Sequence, residues 1–293
     1  MICHPDPTDP LGAAKAIARY RATLLCSTST ILRSFSDNDK VHPLMLASLR
    51  LVVAGAEKLG EDVRAAFQGK FNKNILEGYG ATETTPVASV NLPDQLETET
   101  FNVQRGQKPG SVGMPLPGSS CLVVDPQTYE PLPTGQKGLI LIGGAQVMKG
   151  YLNDAENTAR VIKYLNQMRW YATGDQGYLD KEGFLYIVER YSRLANIGGE
   201  WVGLGAVEAQ IRNALARSDI EILVVAIEDD QKGERLVALY TGSMDVEALR
   251  ARLRESEGAL ALPDKWVQVA SLPKLGSGKT DFVKAKTIAA EHG

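Results

Sequence analysis

Histidine and cysteine are scarce in this chain, three of each in 293 residues. Cys3, Cys26 and Cys121 form no CxxC pair and leave one thiol over. A disulfide framework and a thiolate metal site are therefore not supported, and a reducing compartment, the cytoplasm, is expected. His4, His42 and His292 are equally scattered, which argues against a zinc site or a histidine-based triad. Chemistry must then come from Lys, Arg, Asp, Glu, Thr and backbone amides. Long apolar runs are also missing. The longest uncharged stretch, Pro109 to Val124, is interrupted by three prolines and three glycines and falls short of the ~20 apolar residues of a membrane helix. The opening MICHPDPTDP has neither the charged nor the apolar segment of a secretory signal. No charge of one sign dominates: 32 Lys+Arg against 35 Asp+Glu give a net charge of -3, so nucleic acid is not the expected partner. With 44% hydrophobic and 23% charged residues, the composition is that of an ordinary soluble globular protein. There is no internal repeat and no low-complexity segment.

What is present falls into three patterns. The first ~75 residues alternate helix and strand signals. A helix is predicted over Leu11 to Ala22, with Leu11, Ala14, Ile17 and Ala18 on one face. A short apolar run follows at Thr23 to Cys26, then a helix around Ile31 to Phe35. Arg50 to Ala54 reads as a strand, Glu61 to Phe71 as a helix and Asn74 to Glu77 as the next strand. Strands separated by helices at this spacing indicate a parallel sheet with helices on its faces. From Asn91 to about Val188, prolines and glycines punctuate short strands at Cys121 to Val124, Gly138 to Ile142 and Phe184 to Val188, which suggests a β-rich sheet or distorted barrel. From Arg190 an α+β unit is expected: a helix at Ala206 to Ala216, strands at Ile222 to Ile227 and Leu236 to Tyr240, a helix at Val246 to Arg254, a strand at Trp266 to Ala270, and a basic helix from Phe282.

Four segments carry polar chemistry. Glu77 to Thr85 follows a strand; Gly78 and Gly80 would let the backbone approach a ligand, and the hydroxyls of Thr82, Thr84 and Thr85 could donate to phosphate oxygens. Glu83 could hold a hard cation, and Tyr79 offers an aromatic face to a base. A glycine turn with a Thr/Glu helix cap is the structural alternative. Trp170 to Asp175 puts a carboxylate beyond a glycine turn. It suits the two hydroxyls of a ribose or, alternatively, the amides of the turn itself. Glu189 to Arg193 could offer Arg190 to ribose or phosphate oxygens, or Glu189 and Arg190 could form a solvated ion pair. Beyond it, Ile197 to Glu200 is a flexible glycine turn. Pro273 to Thr280 contains a GKT, but Pro273 stands where a P-loop needs its first glycine, and too little chain follows for the rest of a P-loop NTPase. What remains there is a glycine-flexed loop presenting Lys279, for which a surface lysine is the plain alternative.

Taken in order, Val53 to Glu57, the Tyr-Gly-x-Thr-Glu of Gly78 to Glu83, the Gly-Tyr ending of Gly138 to Tyr151, the Tyr-x-Thr-Gly-Asp of Tyr171 to Asp175, the arginine-led Arg190 to Glu208 with Gly199 and Glu208 in register, and Ser277-Gly278-Lys279 span the whole chain. This series resembles the adenylate-forming superfamily of acyl-CoA synthetases, luciferases and peptide-synthetase adenylation domains. The resemblance implies an α/β and α+β architecture. Residues 1–189 would be the C-terminal part of a large AMP-binding domain, a parallel sheet plus a β-rich subdomain, and residues 190–293 a small mobile α+β lid. It also implies roles. Tyr79 would stack on adenine, with Gly55, Ala56 and Glu57 along its other side and Gly80 in the same loop. Thr82 would contact the α-phosphate and Glu83 would ligate Mg²⁺. Asp175 and Arg190 would hold the ribose of ATP or AMP. Lys279 would reach the α-phosphate and the substrate carboxylate, Ser192 would be the hinge, and Gly199 would line the thiol channel. Thr82, Glu83 and Lys279 would be the catalytic set.

The wording of Ala81 to Asn91, Gly198 to Val202 and Leu275 to Phe282 resembles one branch, the acyl-carrier-protein synthetase region of bacterial 2-acylglycerophosphoethanolamine acyltransferases. That implies a fatty acid substrate, acyl carrier protein or coenzyme A as acceptor, and phospholipid remodelling as the context, with room for membrane association of the parent enzyme. The chain departs from the superfamily pattern at Ser192, where Asp or Lys is usual, at Glu189 in place of Gly, and at Asn196 in place of Lys. The Ser/Thr/Gly-rich loop with a lysine that grips the β- and γ-phosphates is absent. Cys26 to Thr30 has hydroxyls but no glycine or lysine, and in register resembles the edge of an acyl pocket. The expectation is a C-terminal half of a synthetase that catalyses poorly by itself, with a non-catalytic AMP- or carrier-protein-binding module as the alternative.

Overall fold

Proline at the first helical position and Asp9, which accepts from the Gly12 amide at 2.8 Å, start helix α1 (Pro10–Tyr20); Arg21 in the left-handed conformation ends it. The computed structural model describes residues 1–217, 219–229, 233–255, 262–275 and 280–292, and the chain divides into two units, Met1–Val188 and Glu189–Gly293. The buried face of α1 is Pro10, Ala14 and Ile17, whereas Ala18, expected on that face, is exposed.

In the first unit, β1 (Leu24–Ser27), α2 (Ser29–Asp37), β2 (Leu51–Ala54), α3 (Glu61–Phe71) and β3 (Ile75–Tyr79) alternate, and the three strands are parallel with β2 in the centre. The Thr28 hydroxyl accepts from the Ile31 amide and caps α2. Glu61 and Asp62 in the first turn of α3 and Lys70 in the last suit its dipole. Leu32, Phe35, Leu46, Leu49 and Phe67 are essentially inaccessible in the core between helices and sheet, each stabilising by roughly 1.5–3 kcal/mol. Burial alternates along β2: Val52 and Ala54 face this core and are buried, while Leu51 and Val53 are half-buried. Leu24 and Cys26 on β1 are exposed, so the face of β1 away from the helices is open, whereas Ile75 and Leu76 bury both faces at the start of β3.

Beyond β3 the pairing turns antiparallel. β4 (Ser89–Val90) pairs with β3, the two-residue strands β5 (Gln95–Leu96) and β6 (Val103–Gln104) form a hairpin of their own, and β7 (Met114–Pro115) extends the first sheet to the order β1-β2-β3-β4-β7. A second sheet follows from β8 (Ser119–Val124), β9 (Gly138–Gly144), the short α4 (Ala155–Val161), β10 (Ile162–Leu165), β11 (Met168–Leu179) and β12 (Leu185–Arg190), ordered β10-β11-β9-β8 with β12 on β11. Ala88, Ile140, Ile142, Tyr171 and Leu185 are buried in its core, and Tyr79 packs against them. α4, β10 and β11 are elements for which the sequence pattern predicts none. Asn, Thr, Gln and Gly dilute the alternation there, and strand pairing overrides weak local preference.

The second unit builds β13 (Leu194–Ile197), β14 (Glu200–Gly203), α5 (Leu204–Leu215), β15 (Ile222–Asp229), β16 (Gly233–Tyr240), α6 (Val246–Glu255), β17 (Lys265–Gln268) and α7 (Phe282–Glu291). Its sheet runs β14-β13-β16-β15, with β17 parallel to β16. Ile222, Val224 and Ala226 of β15 pack under α5 and α6, while Leu223 and Val225 face Ala285 and Ala289 of α7. Helices on both faces explain why β15 reads as a continuous apolar run rather than an alternating one. No described helix is long and apolar enough to cross a membrane.

Candidate functional site

The carboxyl ends of β2 and β3 gather most of the sequence-predicted residues. In open α/β sheets, ligands bind outside the carboxyl ends of the strands. Ala54 lies opposite Glu77 in the parallel register, so Gly55 emerges beside Gly78; a Cβ on Gly55 would meet the Gly78 carbonyl at 3.4 Å. Ala56 has φ +68°, an unusual conformation for a side-chain-bearing residue, and the exposed Glu57 accepts from the Thr30 amide at 2.6 Å, tying this loop to the start of α2. The hydroxyl run Ser27 to Thr30 is thus the end of β1 and the capped start of α2.

Tyr79 ends β3, and its hydroxyl donates to Asp175 Oδ2 at 2.5 Å, 96 residues away. Asp175 is only 5% exposed. It stands in β11, not in a free turn as expected: the register between β11 and β9 shifts between Ala172 and Gln176, with Gly174 at φ +75°. This irregularity re-aims the carboxylate. The Asp175 amide donates to Thr173 Oγ1 at 3.0 Å, and Thr173 Oγ1 in turn donates to the Ile140 carbonyl. Burial, then the neighbouring Asp175 charge and the bond to it, hold the Tyr79 phenol far above its ordinary pKa.

The loop after Tyr79 is a short 3-10 turn, Thr82–Thr84. Gly80 is required there because a Cβ would stand 1.9 Å from the Pro86 carbonyl; the glycine serves close approach of the loop to itself rather than to a ligand. The threonines divide. Thr84, fully buried, accepts from the Ala81 amide at 2.9 Å, and Thr85 donates to the Gln146 carbonyl at 2.7 Å. Their hydroxyls are therefore committed to backbone carbonyls or amides, and of the three only the exposed Thr82 hydroxyl bonds none of the described residues, its carbonyl accepting from the Thr85 amide. Thr85 also sits at φ +57°, a strained place for a β-branched residue and one that clusters at functional sites.

Glu83 Oε1 accepts from the Tyr151 hydroxyl at 2.7 Å, while the Glu83 carbonyl accepts from the Met148 amide at 2.8 Å. These bonds dock the loop on the segment after β9. The Glu83 carboxylate pushes the Tyr151 phenol up to about 12. Tyr151 was legible only as the end of a Gly-Tyr segment; its partnership with Glu83 spans 68 residues and has no local signal. Among the described residues no three His, Cys, Asp or Glu side chains cluster as a metal site. The pocket of about 500 Å³ lined by Arg50, Lys73 and Asn74 lies at the opposite, amino ends of β2 and β3.

Gly55, Ala56, Glu57, Tyr79, Gly80, Thr82, Glu83 and Asp175 thus belong to one connected set in the first unit. Arg190, Ser192 and Gly199 belong to the second unit, and Lys279 lies outside the described residues. Glu189 forms no solvated pair with the Arg190 side chain. Its carboxylate accepts from the Gly205 and Arg190 amides at 2.8 and 3.0 Å, facing the first turn of α5. Ser192 is exposed in the turn Tyr191–Arg193. Gly198 and Gly199, at φ +60° and +94°, form the two-residue turn joining β13 to β14, with Ile197 opposite Glu200.

Residues 1–152 match the family described as AMP-binding enzyme. The chain belongs to that family. Residues 218–279 match the AMP-binding enzyme C-terminal domain. The chain is 33% identical over 276 residues to 4-coumarate–CoA ligase 2 of Nicotiana tabacum, covering 92% of this chain and 49% of that protein. It is 30% identical over 275 residues to a long-chain-fatty-acid–CoA ligase of Bacillus subtilis, covering 92% and 46%. The chain therefore spans about half the length of these relatives. Among solved structures, ATP-bound MatB from Rhodopseudomonas palustris matches with a TM-score of 0.79 and 25% identity over 98% of this chain and 54% of that one. MenE from Bacillus subtilis, an o-succinylbenzoate–CoA synthetase solved with its acyl-adenylate, matches with a TM-score of 0.75 and 25% identity over 96% and 54%. The mixed α/β architecture of this AMP-binding family member is that of adenylate-forming enzymes.

Proposed function

We propose that this chain supplies the nucleoside-holding part of an ATP-dependent acid–thiol ligase. The observation that carries the proposal is the direct bond between Tyr79 and Asp175, two residues read independently from the sequence as adenine- and ribose-binding. In this reading the ring of Tyr79 stacks on adenine, with Gly55, Ala56 and Glu57 along its other side. Thr82, whose hydroxyl is uncommitted to the loop, donates to the α-phosphate, and Asp175 with Arg190 takes the ribose hydroxyls. Lys279 would place its ammonium on the α-phosphate and the substrate carboxylate, stabilising the charge that develops in an in-line displacement. A carboxylate oxygen of the acid attacks the α-phosphorus and pyrophosphate leaves. A thiol sulfur then attacks the carbonyl of the acyl-adenylate and AMP leaves.

Magnesium fits this site as a nucleotide-borne ion: it needs only one or two carboxylates when phosphate oxygens and water complete its shell, and Glu83 is the carboxylate available. Bound there, it would neutralise phosphate charge. Residues 190–293 would form the mobile lid, with Ser192 as hinge and Gly199 at the thiol channel. A fatty acid as substrate is supported by the Bacillus subtilis relative's name. Coenzyme A as acceptor is supported by the names of both curated relatives. Acyl carrier protein as acceptor and phospholipid remodelling rest on the sequence resemblance alone, and a cytoplasmic site of action on the three scattered cysteines.

Without a lysine-bearing triphosphate loop the chain should adenylate slowly. ATP–pyrophosphate exchange by the purified chain tests this. Exchange near background with measurable AMP binding is expected. Robust exchange would refute the dependence on a triphosphate grip, and absence of any AMP binding would refute the nucleoside site. The missing grip also favours a second reading, a module that binds AMP or a carrier protein without chemistry, in which AMP binds but no exchange is restored when a lysine-bearing phosphate loop is supplied in a hybrid chain.

A further inference from the structure

In the proposed nucleoside site Tyr79 acts through its ring. Its hydroxyl has a partner of its own. It reaches from the end of β3 across to the irregular stretch of β11 and bonds one oxygen of a carboxylate that is 5% exposed. A buried carboxylate has few ways to fix its plane. Here the backbone is set by the Asp175 amide bonding Thr173 Oγ1, and the Tyr79 bond at 2.5 Å falls on the carboxylate itself. The phenol is in turn held by packing against the core of the second sheet, so it is a rigid donor rather than an adaptable one. We infer that the Tyr79 hydroxyl is a positioning residue for ribose recognition, which orients the Asp175 carboxylate toward a cis-diol and so sets the preference for ribonucleotides over their deoxy analogues.

The inference rests on the proposed nucleoside site and adds to it a separable role for one oxygen atom. A ring that only stacks would treat AMP and 2′,3′-dideoxy-AMP alike. A hydroxyl that orients the diol-binding carboxylate matters only when the diol is present. The experiment is calorimetric binding of AMP and of 2′,3′-dideoxy-AMP to the full chain, as wild type, Tyr79→Phe, Asp175→Asn and Asp175→Glu. Wild type should prefer AMP. Tyr79→Phe should cut that preference by about tenfold, the scale of one charge-assisted hydrogen bond, by weakening AMP more than dideoxy-AMP. Asp175→Asn should abolish the preference. Asp175→Glu, which keeps the charge but displaces it, should lower it as Tyr79→Phe does, and serves as the second variant if Tyr79→Phe does not fold.

A parallel loss of both affinities in Tyr79→Phe, or an unchanged preference, overturns the positioning role. If wild type prefers AMP and Asp175→Asn abolishes the preference while Tyr79→Phe and Asp175→Glu keep it, the inference alone fails. If wild type shows no preference, or no AMP binding, the nucleoside site itself fails and the inference with it.

Discussion

Glu208 and Arg193 offer the sharpest test of how the second unit is held together. Arg193 Nη2 donates to Glu208 Oε1 at 2.7 Å, and both residues are 8% exposed. The same oxygen accepts from the Val224 amide at 2.8 Å, so a single carboxylate joins the turn before β13, helix α5 and strand β15. The Arg193 guanidinium also lies 4.7 Å from the centre of the Phe282 ring at the start of α7. Glu208→Ala leaves the guanidinium charge buried without its carboxylate, at about 3–5 kcal/mol, and orphans the Val224 amide, for a further ~1–3 kcal/mol. Against the 5–15 kcal/mol typical of a domain, the lower figure alone is a large share. For a unit of about a hundred residues, 3 kcal/mol corresponds to a fall in Tm of roughly 12–24 °C. Differential scanning calorimetry of the whole chain reads this directly. Replacing both partners with leucine removes the buried charge and should recover most of the loss, leaving the orphaned amide. A Glu208→Ala variant within 1 kcal/mol of wild type, or a double variant no better than the single one, would refute the assignment of this pair as a buried three-way tie.

Three further outcomes follow from other parts of the molecule. Glu83→Ala should lower the Tyr151 phenol from about 12 toward its ordinary value near 10. A difference titration against Tyr151→Phe shows it. Because the folded value is raised, this group's contribution is complete below pH ~10 and is lost as pH climbs toward 12, so its removal should flatten the alkaline limb of the stability curve. Exposed Cys3 and Cys26 should react quickly with a disulfide reagent at pH 8, while Cys121, whose thiol burial pushes up to about 12, reacts slowly; three equal rates would contradict the packing of β8. Gly80→Ala should destabilise the first unit by roughly 1–3 kcal/mol or more, because its Cβ has only the Pro86 carbonyl to displace; an unchanged denaturant midpoint would show that the loop is not so tightly closed.

The sequence determined the elements and the chemistry available to them. The helix at Glu61 to Phe71 and the strands around Leu51 to Ala54, Ile222 to Ile227 and Leu236 to Tyr240 were legible because apolar periodicity is a local property, confined to residues already adjacent in the chain. The scarcity of histidine and cysteine was equally plain. It also marked Tyr79, Glu83 and Asp175 as polar groups beside glycines. What it could not decide is which of several hydroxyls and carboxylates are committed elsewhere. Thr84 and Thr85 look identical to Thr82 on paper, yet the fold assigns Thr84 to the loop's own backbone and Thr85 to the Gln146 carbonyl beyond β9. Glu189 looked like half of an ion pair and instead accepts two amides, one of them in the first turn of α5. Asp175 reads as a turn residue until β9 pairs with β11 and the register slip turns it inward to meet Tyr79. Hydrogen bonds between residues 68 and 96 positions apart depend on strand order and register, which are settled only when the sheets form and bury their faces.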